Sequence, residues 1–194
     1  MDGSLLPGFA DPVHDSQRVF RMILEAMSRP GQTRDLGALP DAPSPLNPAS
    51  AAALLALADF ETPVWMDRQD EAVAKFIRFH TGAPFVPAPD RAVFALITAP
   101  LDMPPLRTFA QGTDEYPDRS ATLIVQVPSL TGGPGLRLTG PGIRDVAAFA
   151  PVGLPDALPL WLTENHGLFP CGVDLIFAAG TQVAALPRTT QIEV

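Results

Sequence analysis

Side chains able to do chemistry are few and widely spaced in this 194-residue sequence. The three histidines, His14, His80 and His166, are far apart, and none lies in an HExxH or cysteine-rich pattern that would mark a zinc site. Cys171 is the only cysteine, so the chain alone can neither hold an iron–sulfur cluster nor form an internal disulfide. It stands between Pro170 and Gly172, just ahead of an apolar run, where a half-buried small hydrophobe is the expected role rather than a nucleophile. Lys75 is the only lysine, against twelve arginines. It follows Glu71 by four residues on an expected helix, which is the spacing of a surface ion pair and not the setting of a Schiff-base amine. No serine sits in a GxSxG elbow.

Phosphate cradles fare no better. Thr131-Gly132-Gly133-Pro134-Gly135 and Thr139-Gly140-Pro141-Gly142-Ile143-Arg144 look like anion nests, but neither continues into the Gly-Lys-Ser/Thr of a P-loop or fits GxGxxG. Each contains a proline, which removes a backbone donor, so turns between strands are the expected role. Two polar clusters remain. Asp11 to Gln17, followed by Arg18 and Arg21, reads as a helix cap with solvated charges. Pro187-Arg188-Thr189-Thr190, with Pro170 to Asp174 before it, reads as a strand terminus with ordinary hydroxyl pairing. Should the chain bind an anion, the candidates are His14, Arg21, His80 and Arg188, whose side chains can bind or protonate phosphate oxygens.

The elements that must position these residues can be read from periodicity. A helix is expected from about Asp15 to Ser28, capped by Asp15 or Ser16, with Val19, Phe20, Ile23, Leu24 and Met27 on one face. Residues 32–36 form a short strand candidate, and residues 37–48 an exposed connection rich in Pro, Ala, Ser and Asp. Asn47-Pro48 should then cap a buried, alanine-rich helix over 49–60. Strands are expected at 63–67, 92–98, 122–127 and 136–138, with a hairpin over 173–178 and 182–186. Helices are expected at 70–80, 102–109 and 156–165, and the chain closes on a β-branched tail. This alternation predicts one α/β domain over 1–194, a mixed β-sheet covered by helices.

Bulk properties narrow the class. The longest apolar stretches, such as 92–99, fall far short of the roughly 20 residues of a membrane span, and the first residues carry acid early rather than a basic leader. A net charge of −8 with no basic run argues against nucleic acid as the main partner, as the short apolar runs argue against a membrane. One cysteine suits a reducing, cytoplasmic setting. The 23 prolines punctuate apolar runs rather than forming a tract, which predicts a loop-rich but ordered domain without internal repeats.

Several of these segments, in this order, resemble one family. Phe9-x-Asp11-Pro12-Val13-x-x-Ser16-Gln17-x-x-Phe20-Arg21, continuing to Ala26-Met27-x-x-Pro30-Gly31, looks like the amino-terminal signature of PhnH, the H subunit of bacterial carbon–phosphorus lyase. Phe79-His80-Thr81-Gly82, Gly140-Pro141-Gly142-Ile143, Phe169-Pro170-x-Gly172-Val173-Asp174 and Pro187-Arg188-Thr189-Thr190 are similar to its later motifs. The resemblance implies a subunit of a core assembly with subunits G, I and J. With an accessory ATPase-like subunit, that assembly moves a phosphonate onto the ribose of ATP and releases adenine. The J subunit later cleaves the carbon–phosphorus bond by radical chemistry with S-adenosylmethionine and an iron–sulfur cluster. It also implies a fold like part of the pyridoxal-phosphate-dependent transferases without the cofactor, a tendency to form homodimers, and a structural or interaction role with no cofactor and no independent activity. A direct contribution to the transfer, through the four anion candidates, is the alternative.

Overall fold

The computed structural model describes residues 6–193. Asp11, extended at φ −121°, caps α1 (Pro12–Ser28) by accepting from the backbone N–H groups of Val13 and His14, with Pro12 in the first turn. The helix thus starts before the expected Asp15 or Ser16, because Asp-Pro is itself a start signal that the apolar periodicity does not register. Asn47 caps α2 (Pro48–Leu57) by accepting from Ser50 N. That helix stops short of Phe60, since Asp59 and Thr62 close a turn through side-chain contacts at 2.7–3.2 Å. Asp70 caps α3 (Glu71–Thr81), which Gly82 ends in the left-handed region at φ 73°, as the Thr-Gly stop leads one to expect. α4 (Leu158–His166) begins around Pro159 rather than at Asp156.

The strands are β1 (Arg34–Asp35), β2 (Val64–Met66), β3 (Phe94–Ile97), β4 (Thr122–Gln126) and β5 (Leu136–Thr139). They continue with β6 (Ala147–Phe149), β7 (Asp174–Ala179), β8 (Gln182–Leu186) and β9 (Gln191–Glu193). Six of them form a mixed sheet in the order β1-β8-β7-β4-β3-β2. β2, β3, β4 and β7 run parallel, while β8 and β1 are antiparallel additions, with Ala179 opposite Gln182 at the hairpin end. A second sheet, β6-β5-β9, was not anticipated beyond its middle strand, because β6 carries only three residues. The helix expected over 102–109 is instead two short 3-10 turns, Pro100–Asp102 and Leu106–Thr108, as closely spaced prolines interrupt it.

Alternation along the central strands divides the core into two layers. Ile124, Ile176 and Ala178 face α1, α2 and α3, while Leu123, Val125, Leu175 and Phe177 face α4, the 3-10 turns and the small sheet. The near-continuous apolar character of β4 and β7 follows from burial on both faces. The connection over 37–48, expected to be exposed, is partly held down: Leu46 is buried, and Arg18 donates to the carbonyls of Leu36 and Ala38. Glycine motifs join the layers. At Gly142, with φ 85°, a Cβ would lie 2.2 Å from Ser28 O, so the Gly-Pro-Gly turn packs directly on the end of α1 and the Arg-Pro-Gly that follows it.

Candidate functional site

Three places in this fold gather polar side chains. The first lies at the amino ends of the parallel strands. Arg188, just beyond β8, reaches Asp174 at the start of β7 with Nη2–Oδ2 at 2.6 Å and Nε–Oδ1 at 3.2 Å, and its backbone N–H adds a third bond at 2.8 Å. Its Nη1 donates to the carbonyls of Pro117 (2.8 Å) and Pro170 (3.3 Å), and its Nη2 also donates to Ser120 Oγ. All five guanidinium donors are therefore engaged within the protein. An anion arriving in the shallow hollow beside it would find the charge neutralised and the donors spoken for. Here Arg188 is a clasp joining β8 to the segments that enter β4 and β7.

The same corner explains two other motifs. Asn165, 4% exposed, exchanges hydrogen bonds with Val173 through Nδ2 and Oδ1 at 2.9 and 2.8 Å, and a Cβ on Gly172 would sit 2.9 Å from its Oδ1. Phe169-Pro170, joined by a cis peptide, carries the chain from α4 to this contact. His166 sits between Arg188 O at 3.3 Å and the Gln191 amide at 3.0 Å, contacts that fit the tautomer with its proton on Nδ1. Partial burial, aided by the Asp114 carboxylate 3.7 Å from Sγ, pushes the Cys171 thiol up from its ordinary value, against the opposing Arg188 charge. That shift works against a nucleophilic thiolate.

The second place holds the other candidates. His14 and Arg21 stand two turns apart on α1, both exposed, and His14 Nδ1 meets Asp11 Oδ2 at 2.8 Å. His80, near the end of α3, packs edge-on against Phe76 and Phe79, and its Nε2 lies 3.0 Å from Leu6 O. A Cβ on Gly8 would come within 2.8 Å of that ring, so His80 fixes the strap leading into α1. His14 and Arg21 thus share a helix face, His80 is engaged in packing, and Arg188 belongs to the clasp. Lys75 pairs with Glu71 at 3.1 Å on α3, matching the spacing.

The third place was not visible in the sequence. At the carboxyl ends of β3, β4 and β7, where ligands of open α/β sheets commonly bind, lies a cleft of about 450 Å³. Its lining includes Asn47, Thr98, Pro100, Leu101, Gln126 and Pro128. Asn47 N–H donates to Gln126 Oε1 at 2.7 Å, and Gln126 Nε2 donates to Pro45 O at 2.7 Å. Asp67, at the end of β2, accepts from Thr98 N, Thr98 Oγ1 and Ala99 N at 2.8–3.0 Å. The backbone donors that could have cradled a ligand phosphate are therefore already filled by a carboxylate. Among the described residues no group of three or more His, Cys, Asp and Glu could hold a metal ion, and no helix is long and apolar enough to cross a membrane.

Comparison with known proteins places this architecture. The family model for PhnH, described as a bacterial phosphonate metabolism protein, matches residues 7–193. The alpha-D-ribose 1-methylphosphonate 5-triphosphate synthase subunit PhnH of Rhizobium meliloti (strain 1021) is 44% identical over 188 residues, which cover 95% of this chain and 94% of the relative. A putative C-P lyase subunit protein, HtxG, from Stutzerimonas stutzeri is 41% identical over 83 residues, or 43% of each chain.

Proposed function

This chain belongs to the PhnH family of bacterial phosphonate metabolism proteins, and from that premise we propose that it is a subunit of an alpha-D-ribose 1-methylphosphonate 5-triphosphate synthase. Its partners in this reading are the G, I and J subunits, and its contribution is structural: it holds or positions the subunits that carry the chemistry. The observation that carries the reading is the 44% identity along 95% of the chain to a protein that is itself a subunit. The arrangement of the polar residues supports the structural role. Arg188 has no guanidinium donor left, and His80 is committed to Leu6 O and two aromatic rings. Large apolar side chains stand exposed on three helices, Val13, Phe20 and Leu24 on α1, Phe79 on α3 and Leu160 on α4, as surfaces for partner subunits would require.

Co-expression with the G, I and J subunits, followed by native mass spectrometry, tests the proposal. A stable particle containing all four chains is the expected result. Elution of this chain alone, while the other three assemble, would overturn it. The free chain is further proposed to be a cytoplasmic homodimer, which sizing against its 20.6 kDa monomer mass decides. Kinship with the pyridoxal-phosphate transferase fold, without the cofactor, is part of the same proposal. The place of Lys75 on α3, ion-paired with Glu71, bears only on the lack of the cofactor, and the fold kinship rests on the family resemblance alone.

One observation favours a second reading, a direct contribution to the transfer. His14 and Arg21, both side chains that hydrogen-bond phosphate oxygens, share an exposed face of α1. Substituting both by alanine separates the readings: assembly intact with turnover lost would support this one.

A further inference from the structure

We propose that the outer face of α4 and the crevice at its amino end form a docking surface for a partner-subunit segment that carries large apolar side chains beside lysine or arginine. The inference rests on the subunit reading and deepens it, naming a surface and the chemistry of what covers it.

Apolar exposure comes first. Leu160 is 61% exposed on α4, and Leu168 and Phe169, at 46% and 61%, follow in the turn that ends it. That turn is already formed: Leu168 N donates to Asn165 O, Phe169 N to His166 O and Cys171 N to Leu168 O at 2.8–3.2 Å. Docking on these side chains therefore orders little backbone, which favours binding. At the other end of the helix, Leu136, Pro151, Leu154 and Leu158 line a crevice of about 150 Å³, with Asp156 also in its lining. It has room for one apolar side chain, and an anchor seated in a pocket is where interfaces concentrate their energy.

Charge selects the occupant. No lysine or arginine occurs between Arg144 and Arg188, so α4 and both its flanks supply acid alone. Asp156, just before the helix, and Glu164 stand four residues either side of Leu160, and all three are exposed. Beyond the helix, Asp114 lies 3.7 Å from Cys171 Sγ, and Asp118 shares the hollow that Phe169 lines. The bases of neighbouring segments are engaged or outnumbered. Arg188 pairs with Asp174 and Arg137 with Glu193, while Arg119 stacks on Tyr116 at 4.0 Å from the ring centroid. Arg107, exposed on the 3-10 turn that packs against α4, is a single charge against these acids.

An acidic excess around apolar side chains repels nucleic acid and anionic lipid. A second copy docking by the same face would set acid against acid, since a two-fold contact places one patch on itself. The exposed stripe of α1 selects no charge in this way, because Asp11, Asp15 and Glu25 pair there with His14, Arg18 and Arg34. A basic and apolar segment of a different chain is the occupant that the α4 face fits.

Surface plasmon resonance over an immobilised assembly of the G, I and J subunits tests this, with the full chain as analyte. Leu160→Ala should weaken binding about tenfold. Asp156→Lys combined with Glu164→Lys should slow association about tenfold at low salt and flatten its salt dependence. The substituted side chains are exposed, so the thermal midpoints should stay at the wild-type value. If the wild-type chain binds and the variants bind equally well, this inference fails while the subunit reading stands. If the wild-type chain does not bind, both fail. Faster association of the double variant would mean an acidic partner surface and would also overturn the proposal. Should one variant fail to fold, Leu168→Ala takes its place, with the same tenfold loss expected.

Discussion

Arg188 and Asp174, fourteen residues apart, meet at the amino ends of the parallel strands with Nη2–Oδ2 at 2.6 Å, and their side chains are only 14% and 21% exposed. The pair is one corner of a closed network that also takes in Ser120 and the carbonyls of Pro117 and Pro170. A half-buried charge with every donor satisfied stabilises by position. Removing one partner leaves the other without compensation, which costs far more than a surface pair is worth.

Arg188→Ala should therefore lower stability by about 3 kcal/mol, or roughly 6–12 °C in thermal midpoint for a chain of this size. Arg188→Lys should recover little, because a single ammonium cannot reach a carboxylate, a hydroxyl and two carbonyls arranged around a planar fork. Urea titration of the three proteins checks this. A loss under 1 kcal/mol for the alanine variant would mean that the clasp contributes no more than an exposed pair.

Glycine positions divide by the same kind of accounting. Gly142→Ala places a Cβ 2.2 Å from Ser28 O at φ 85°, where neither the backbone nor the neighbour can give way. Its expected cost is about 2–4 kcal/mol. Gly135→Ala, at a residue outside the left-handed region with open space around it, should stay within about 0.5 kcal/mol of the parent. Equal effects at the two sites would show that the docking of the small sheet on α1 is looser than these distances.

How much of this was legible in the sequence depended on whether a feature was local. Asn47-Pro48 and Thr81-Gly82 announce helix ends through chemistry confined to a few residues, and the structure uses both that way. Asp11-Pro12 carried the same message for α1, yet apolar periodicity begins only at Val19, so the start was placed a turn late. The paired runs of β7 and β8 show their hairpin through the turn at Gly180. The cleft left no such trace. Asn47 and Gln126 are 79 positions apart and of ordinary type, and they meet because the pairing of β4 with β7 sets Gln126 beside Ala178, whose carbonyl holds the Asn47 amide. Arg188 was visible as a charged residue in a motif. That its donors are consumed by Pro117, Ser120, Pro170 and Asp174 is a tertiary fact no spacing encodes.

The amino end of α1 should respond to acid. The His14 backbone N–H first, then the His14 side chain, hold Asp11 below the ordinary aspartate value of 3.8. The Arg18 side chain, then the Asp11 backbone N–H, do the same for Asp15. A carboxylate depressed in the folded state stabilises fully above its unfolded value and loses that contribution as pH falls through the folded value. Fraying of the first turn should therefore begin only below 3.8. Amide exchange at Val13, His14 and Asp15, followed from about pH 5 to about pH 2.5, reads it out. Asp11→Asn keeps a capping oxygen without the titration and should flatten the Asp11 part of the response. Fraying that starts near neutral pH would contradict this assignment.

Asp67 ties the carboxyl ends of two neighbouring strands, and its substitution separates hydrogen bonding from charge. Both carboxylate oxygens accept: Oδ1 from Thr98 Oγ1 at 3.0 Å and from Arg68 N at 2.8 Å, Oδ2 from Ala99 N at 2.8 Å, with Thr98 N shared between them at 3.0 Å. Asp67→Asn must present an NH2 to one set of donors whichever way the amide turns, so at least one backbone N–H loses its acceptor. A group left unsatisfied in this part-buried setting costs about 1–3 kcal/mol. The loss should show as faster exchange at Arg68 where the NH2 replaces Oδ1, or at Ala99 where it replaces Oδ2, with α1 and β8 unchanged, because the contact holds β3 against β2 and nothing on the far side of the sheet. Uniform acceleration of exchange across the domain would instead mean that this turn is part of the global folding unit. Exchange unchanged at Arg68, Thr98 and Ala99 alike would mean that these hydrogen bonds do not limit local opening of the turn.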